Sequence, residues 1–143
     1  MKNRATFVMF AVLAIAARAA PSTLSIECPA KFPAESVKFS APPTGWTPTA
    51  PHSLELGSAE VMHGPPSSFA YAAPSTYKLG KRRDVGTWGM GSGENWVQCG
   101  YGARGELRLS RQLPAGTSSC TITKDKDAEG NLIKAVALCS QAH

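Results

Sequence analysis

Alternation of apolar and polar residues, rather than helical periodicity, organises the chain downstream of its first twenty residues. Leu24, Ile26 and Cys28 alternate with Ser25 and Glu27, and Val37 and Phe39 alternate with Ser36, Lys38 and Ser40. Each pattern reads as a half-buried strand. Pro42-Pro43 breaks the second segment. Val97, Cys99 and Tyr101 share one face of a strand over 95–101. Leu107 and Leu109 share one face of a returning strand, with Glu106, Arg108 and Ser110 as its polar side. The turn between them falls at Gly102-Ala103-Arg104. Prolines recur from Pro21 to Pro74, which disfavours long helices before Lys78.

The clearest hairpin is C-terminal. Residues 117–126 and 132–139 flank Asp127-Ala128-Glu129-Gly130-Asn131. A two-residue turn at Glu129-Gly130 places Cys120 opposite Cys139, Ile122 opposite Ala137 and Asp125 opposite Lys134. One face then carries Cys120, Ile122, Ile133, Ala135, Ala137 and Cys139, with Lys124 as its single charge. A slip of one residue would separate the cysteines and the charge pair together. A further hairpin turning at Gly57-Ser58 would pair Leu54 with Val61 and His52 with His63. Gly86 to Gly93, with four glycines, reads as a mobile hairpin tip in which Trp88 either covers the core or meets a partner. The predicted fold is all-β: a small antiparallel sandwich or open barrel of hairpins, braced by two disulfides.

The first twenty residues are different. Lys2 and Arg4 precede an apolar run over 6–17, too short to span a bilayer at about 20 residues. Ala17-Arg18-Ala19 completes a secretory signal, with cleavage expected after Ala19. Residues 20–143 then form one β domain, periplasmic or secreted. Export also changes the charge balance. The whole chain carries fifteen basic and ten acidic residues. Lys2, Arg4 and Arg18 leave with the signal, so twelve face ten and the net charge falls from +5 to +2. That small excess gives no basis for nucleic-acid binding. No stable membrane insertion is expected of the mature chain.

Four cysteines in an oxidising compartment read as disulfides. The hairpin register favours Cys120–Cys139, which leaves Cys28 and Cys99 on the apolar faces of two other strands. Three connectivities are possible in principle.

No residue set specifies a reaction. His52 and His63 could face each other across a hairpin, but alternation turns Glu55 and Glu60 to the opposite side, so solvated strand residues are the favoured reading over a metal site. No Gly-x-Ser-x-Gly elbow or Cys-x-x-Cys motif occurs. Neither metal nor cofactor is expected. Lys81-Arg82-Arg83, with Trp88 nearby, is the candidate partner-binding surface, set against the blander reading of a solvated basic loop.

Several segments together resemble a family of small, uncharacterised secreted proteobacterial proteins with four cysteines. These are Ile26-Glu27-Cys28-Pro29, Gly45-Trp46, Gly64-Pro65-Pro66, Trp96-Val97-Gln98-Cys99-Gly100-Tyr101 and Leu109-Ser110-Arg111-Gln112-Leu113-Pro114. The resemblance implies export and the cysteine framework, and no activity. The leading reading is therefore an exported, non-catalytic binding module whose partner is a periplasmic or secreted protein. An inhibitor or immunity-type protein of a cell-envelope enzyme is its concrete form. The alternatives are a small envelope hydrolase using Glu27, Glu55, Glu60, Glu94 or Glu106, and a structural envelope component.

Overall fold

A computed structural model describes residues 22–38, 40–49 and 53–141. The apolar run, the expected cleavage site, Phe39 and His52 lie outside the described residues. Among the described residues there are eight strands: β1 (Thr23–Cys28), β2 (Leu56–His63), β3 (Thr76–Lys78), β4 (Arg83–Gly89), β5 (Asn95–Tyr101), β6 (Leu107–Gln112), β7 (Thr117–Lys126) and β8 (Leu132–Gln141). They form a five-stranded sheet, ordered β1-β8-β7-β4-β3, and a three-stranded sheet, ordered β2-β5-β6. Every pairing is antiparallel. Helix among the described residues is limited to two single 3-10 turns, Ala34–Ser36 and Pro66–Ser68. The all-β, disulfide-braced architecture read from the sequence is the one observed.

The β7–β8 register matches the sequence reading: Cys120 faces Cys139, Ile122 faces Ala137 and Asp125 faces Lys134. The turn does not. Asp127 organises a longer loop, its N–H donating to the Asn131 carbonyl at 3.0 Å and its Oδ1 accepting from the N–H groups of Glu129 and Asn131. Register shifts after Asp125, so Lys126 faces Leu132. This bulge reverses the local alternation. Leu132 packs against the core while Ile133, expected on the inner face, stands 52% exposed.

The β5–β6 hairpin forms as expected, with Cys99 opposite Leu109. The Gly57-Ser58 hairpin does not. β2 continues through these residues, with a register shift between Leu56 and Ser58, and pairs with β5, Ala59 opposite Cys99 and Val61 opposite Val97. Gly57 answers a tertiary demand: a Cβ there would lie 2.7 Å from the Gly102 carbonyl oxygen. Among the described residues, the strand expected around Val37 does not form either. Pro33 starts the Ala34–Ser36 turn, closed by the Ser36 N–H on the Pro33 carbonyl, and the chain enters no sheet there.

Both sheets contribute to one core. β1 supplies Ile26 and Cys28, β2 Ala59 and Val61, β5 Val97, Cys99 and Tyr101, and β7 and β8 Cys120, Ile122, Ala135, Ala137 and Cys139. Trp88 of β4 is 1% exposed, and its indole N–H donates to the Ala72 carbonyl at 2.9 Å. Its ring leans over Gly86, two residues back on the same face, where a Cβ would collide with it. The first half of the Gly86–Gly93 stretch thus belongs to β4, and its loop is confined to Met90–Gly93. The disulfides are Cys28–Cys99, which crosses from the large sheet to the small one, and Cys120–Cys139 within the β7–β8 hairpin. Among the described residues, every buried side-chain polar atom has a partner.

The two bonds close loops of different length, separated by 71 and 19 residues. Loop-closure entropy assigns them about 4 and about 3 kcal/mol. Replacing Cys28 and Cys99 together with serine is expected to lower unfolding free energy by about 1 kcal/mol more than replacing Cys120 and Cys139, as read by urea denaturation.

Candidate functional site

The β3–β4 hairpin projects the basic cluster. β3 is only three residues long and lies at the edge of the large sheet, with Lys78 opposite Val85. The chain then turns through Leu79-Gly80-Lys81-Arg82. Gly80 allows the tight return, since a Cβ there would strike the Arg83 carbonyl. Its N–H donates to Asp84 Oδ1 at 3.0 Å. The same oxygen accepts from Lys126 Nζ at 2.8 Å, and the Lys126 N–H donates to the Arg82 carbonyl. Arg83 pairs with Asp125. The turn is therefore fastened to β7 by both backbone and side chain.

Beneath it lies an ordered run of opposite charges. Asp84 faces Lys124 across the β4–β7 pair. Lys124 is 8% exposed, yet charged on a core-facing row. Its ammonium reaches Glu60 Oε1 of the small sheet at 2.9 Å and sits 5.8 Å from the Tyr77 ring centroid. The lone charge on the predicted inner face of the C-terminal hairpin thus has its partner in the other sheet. The Lys126 ammonium, and then the Gly80 N–H, hold the Asp84 carboxyl below the usual carboxylate range. Arg83 does the same for Asp125.

These pairings leave Lys78, Lys81 and Arg82 without an ion-pair partner among the described residues. Tyr77, 45% exposed, and Leu79, 74% exposed, stand beside them. A rigid protrusion with three free cations and two apolar side chains suits contact with an acidic protein surface.

Of the residues singled out by sequence, Lys81 and Arg82 are at this tip. Arg83 is turned to Asp125. Trp88 is a correction: it fills the core and cannot touch a partner in this fold. Tyr77, Lys78 and Leu79 were not singled out; an apolar residue inside a basic, glycine-containing turn was the available signal. Trp46 is 75% exposed and Trp96 donates to Glu94 at 3.0 Å. His63 lies at the end of β2 opposite Asn95 and is hydrogen-bonded to it at 2.7 Å. The candidate carboxylates are each engaged separately: Glu27 by Lys134, Glu55 by Lys31, Glu60 by Lys124, Glu94 by Trp96 and Gln112, and Glu106 by the Arg104 N–H. Among the described residues no three His, Cys, Asp or Glu side chains group as metal ligands, and no helix is long and apolar enough to cross a membrane.

Residues 49–140 match the family model for the type VI secretion system Tli immunity protein. The chain belongs to the Tli immunity protein family. No curated protein and no solved structure matches it. The matched stretch of this Tli chain holds β2 to β7, all of β8 but its last residue, and the entire β3–β4 tip. It excludes β1, so the Cys28–Cys99 bond joins a strand outside the matched stretch to one inside it.

Because the folded Asp84 carboxyl titrates below its unfolded counterpart, its contribution is complete above the ordinary carboxylate pKa and is lost as pH falls through the lower folded value. Melting temperature should therefore be level above about pH 4 and drop below it. Asp84→Asn should lower the plateau and flatten the drop, with Asp125, Asp127 and Glu106, whose carboxyls are also held below their ordinary values, retaining the remainder. An unchanged acid limb by calorimetry would remove Asp84 from this role.

Proposed function

We propose that this chain is an exported immunity protein that binds a type VI effector enzyme acting on the cell envelope and neutralises it by stoichiometric occlusion. The family match over residues 49–140 carries this reading. Three other features support it. The apolar run followed by Ala17-Arg18-Ala19 suits export, and two disulfides suit an oxidising compartment. The β3–β4 tip supplies a preorganised contact surface. Its free cations accelerate encounter with an acidic partner, and Leu79 and Tyr77 provide apolar contact once docked. Fixing the turn to β7 before binding reduces the ordering cost on association. Nothing favours the hydrolase alternative, since its carboxylates are held on separate elements by separate partners.

Two measurements address this reading. The exported protein should have the intact mass of a chain beginning at Ala20; retention of Met1, or lipid on Cys28, would contradict the assignment. Lys81→Glu with Arg82→Glu should slow association with the effector about tenfold or more at low salt, with the deficit shrinking as ionic strength rises. Target cells carrying this variant should lose protection against delivery of that effector. Full protection at unchanged association rate would discard the tip as the contact.

A further inference from the structure

A second surface lies on the side of the small sheet turned away from the core. Alternation places Ala59, Cys99 and Leu109 inward and the row Glu60, Gln98 and Ser110 outward. Gln98 bridges its neighbours, donating to Ser110 Oγ at 3.0 Å and accepting from the Tyr71 hydroxyl at 2.9 Å. Tyr71 belongs to a segment that returns beside β2, with the Ala72 N–H on the Val61 carbonyl. Within it, Phe69 takes a left-handed conformation, φ 52°, that disfavours a bulky residue. The conformation is held by its N–H on the Pro66 carbonyl. Its ring stays 57% exposed, with the Arg108 guanidinium 4.9 Å above its centroid.

Between Tyr71 and the β5–β6 turn is a groove of about 470 Å³, lined in part by Ser58, Glu60, Arg104 and Arg108. Its arginines make no salt bridge among the described residues, although the Glu106 carboxylate is held below its ordinary range by backbone N–H donors and, in part, by the charge of Arg104. Glu60 is committed to Lys124, and Glu106 accepts the Arg104 backbone N–H. A guanidinium stacked on an aromatic ring retains its edge donors for a carboxylate. Exposed Phe and Tyr beside an arginine pair form a protein-contact composition rather than a lipid or nucleic-acid one.

We propose that this groove seats an aspartate or glutamate side chain from an acidic segment of the effector, clamped between Arg104 and the Arg108–Phe69 stack. The proposal rests on the immunity reading, because the effector supplies the carboxylate. It makes recognition bipartite, with the β3–β4 tip as one contact and the small-sheet groove as the other.

The test places p-benzoylphenylalanine at Phe69 or, separately, at Leu79 of the full chain, in cells delivering the effector, and sequences the cross-linked peptides. The expected result is a Phe69 cross-link to an effector segment containing Asp or Glu. R104E/R108E should abolish that cross-link and weaken affinity at least tenfold, and Asp/Glu→Arg in the cross-linked segment should restore it. Both arginines are exposed and make no salt bridge among the described residues, so a melting temperature near wild type is expected; R104Q/R108Q serves if the reversal unfolds the chain. A cross-link from Leu79 with none from Phe69, or wild-type affinity in the arginine variant, would overturn the groove and leave the immunity reading standing. A Phe69 cross-link to lipid, to a second copy of this chain or to a segment lacking acids would also overturn it. Absence of an effector cross-link from both positions would overturn the immunity reading with it.

Discussion

Cys28–Cys99 is the constraint on which the two-sheet arrangement depends. Among the described residues, sixteen form the buried core cluster, and half of them are alanine or cysteine. Such side chains bury little apolar area each, so sheet-on-sheet packing alone is thin. The bond joins β1, an edge of the large sheet, to β5, the centre of the small one. It restricts the unfolded chain most and also brings the faces together where Ile26 and Val97 complete the interior. Trp88 and Tyr101, both almost fully buried, supply the bulk that alanines cannot.

A second, polar connection joins the two sheets at the β2 edge of the small one. Lys124 extends from β7 to Glu60 on β2, while Asp84 and Lys126 fasten the β3–β4 turn to β7. Their net contribution to stability is modest once desolvation is counted. Their geometric effect is larger, because they fix the direction of an exposed turn relative to both sheets. The outward cations Lys78, Lys81 and Arg82 remain free because the inward charges have satisfied one another.

Much of this was legible in the sequence where the determinants are local. Cysteines and a charge pair in matching register specified β7–β8, and alternation around Gly102 specified β5–β6. Failures occurred where a residue answers a distant neighbour. Gly57 has the composition of a turn but serves an approach to Gly102, in the β5–β6 turn that only the folded sheet brings near. Ile133 obeys the expected alternation until the Asp127 loop shifts it by one residue. Trp88, set among glycines, resembled a loop aromatic because Gly86 leaves room for its ring from the same strand. For the site, the charges of Lys81 and Arg82 could be read directly. Phe69 and Tyr71 could not, since they lie in a proline-rich segment without periodicity and acquire their role only beside β2.

Gly86 ties the interior to the exterior. The space its absent Cβ would occupy is bordered by the Trp88 ring and by the Tyr77 ring, which also neighbours Lys124 at the base of the tip. Valine or threonine, ordinarily better strand formers, would displace both rings at once. The two properties therefore share one position along the chain. Sequence change can diversify the cations of the turn freely, as each stands alone in solvent, but Gly86 can change only with concurrent adjustment of core volume and contact surface. A lineage adapting to new partners would be expected to vary Lys78, Lys81 and Arg82 and to keep this glycine fixed.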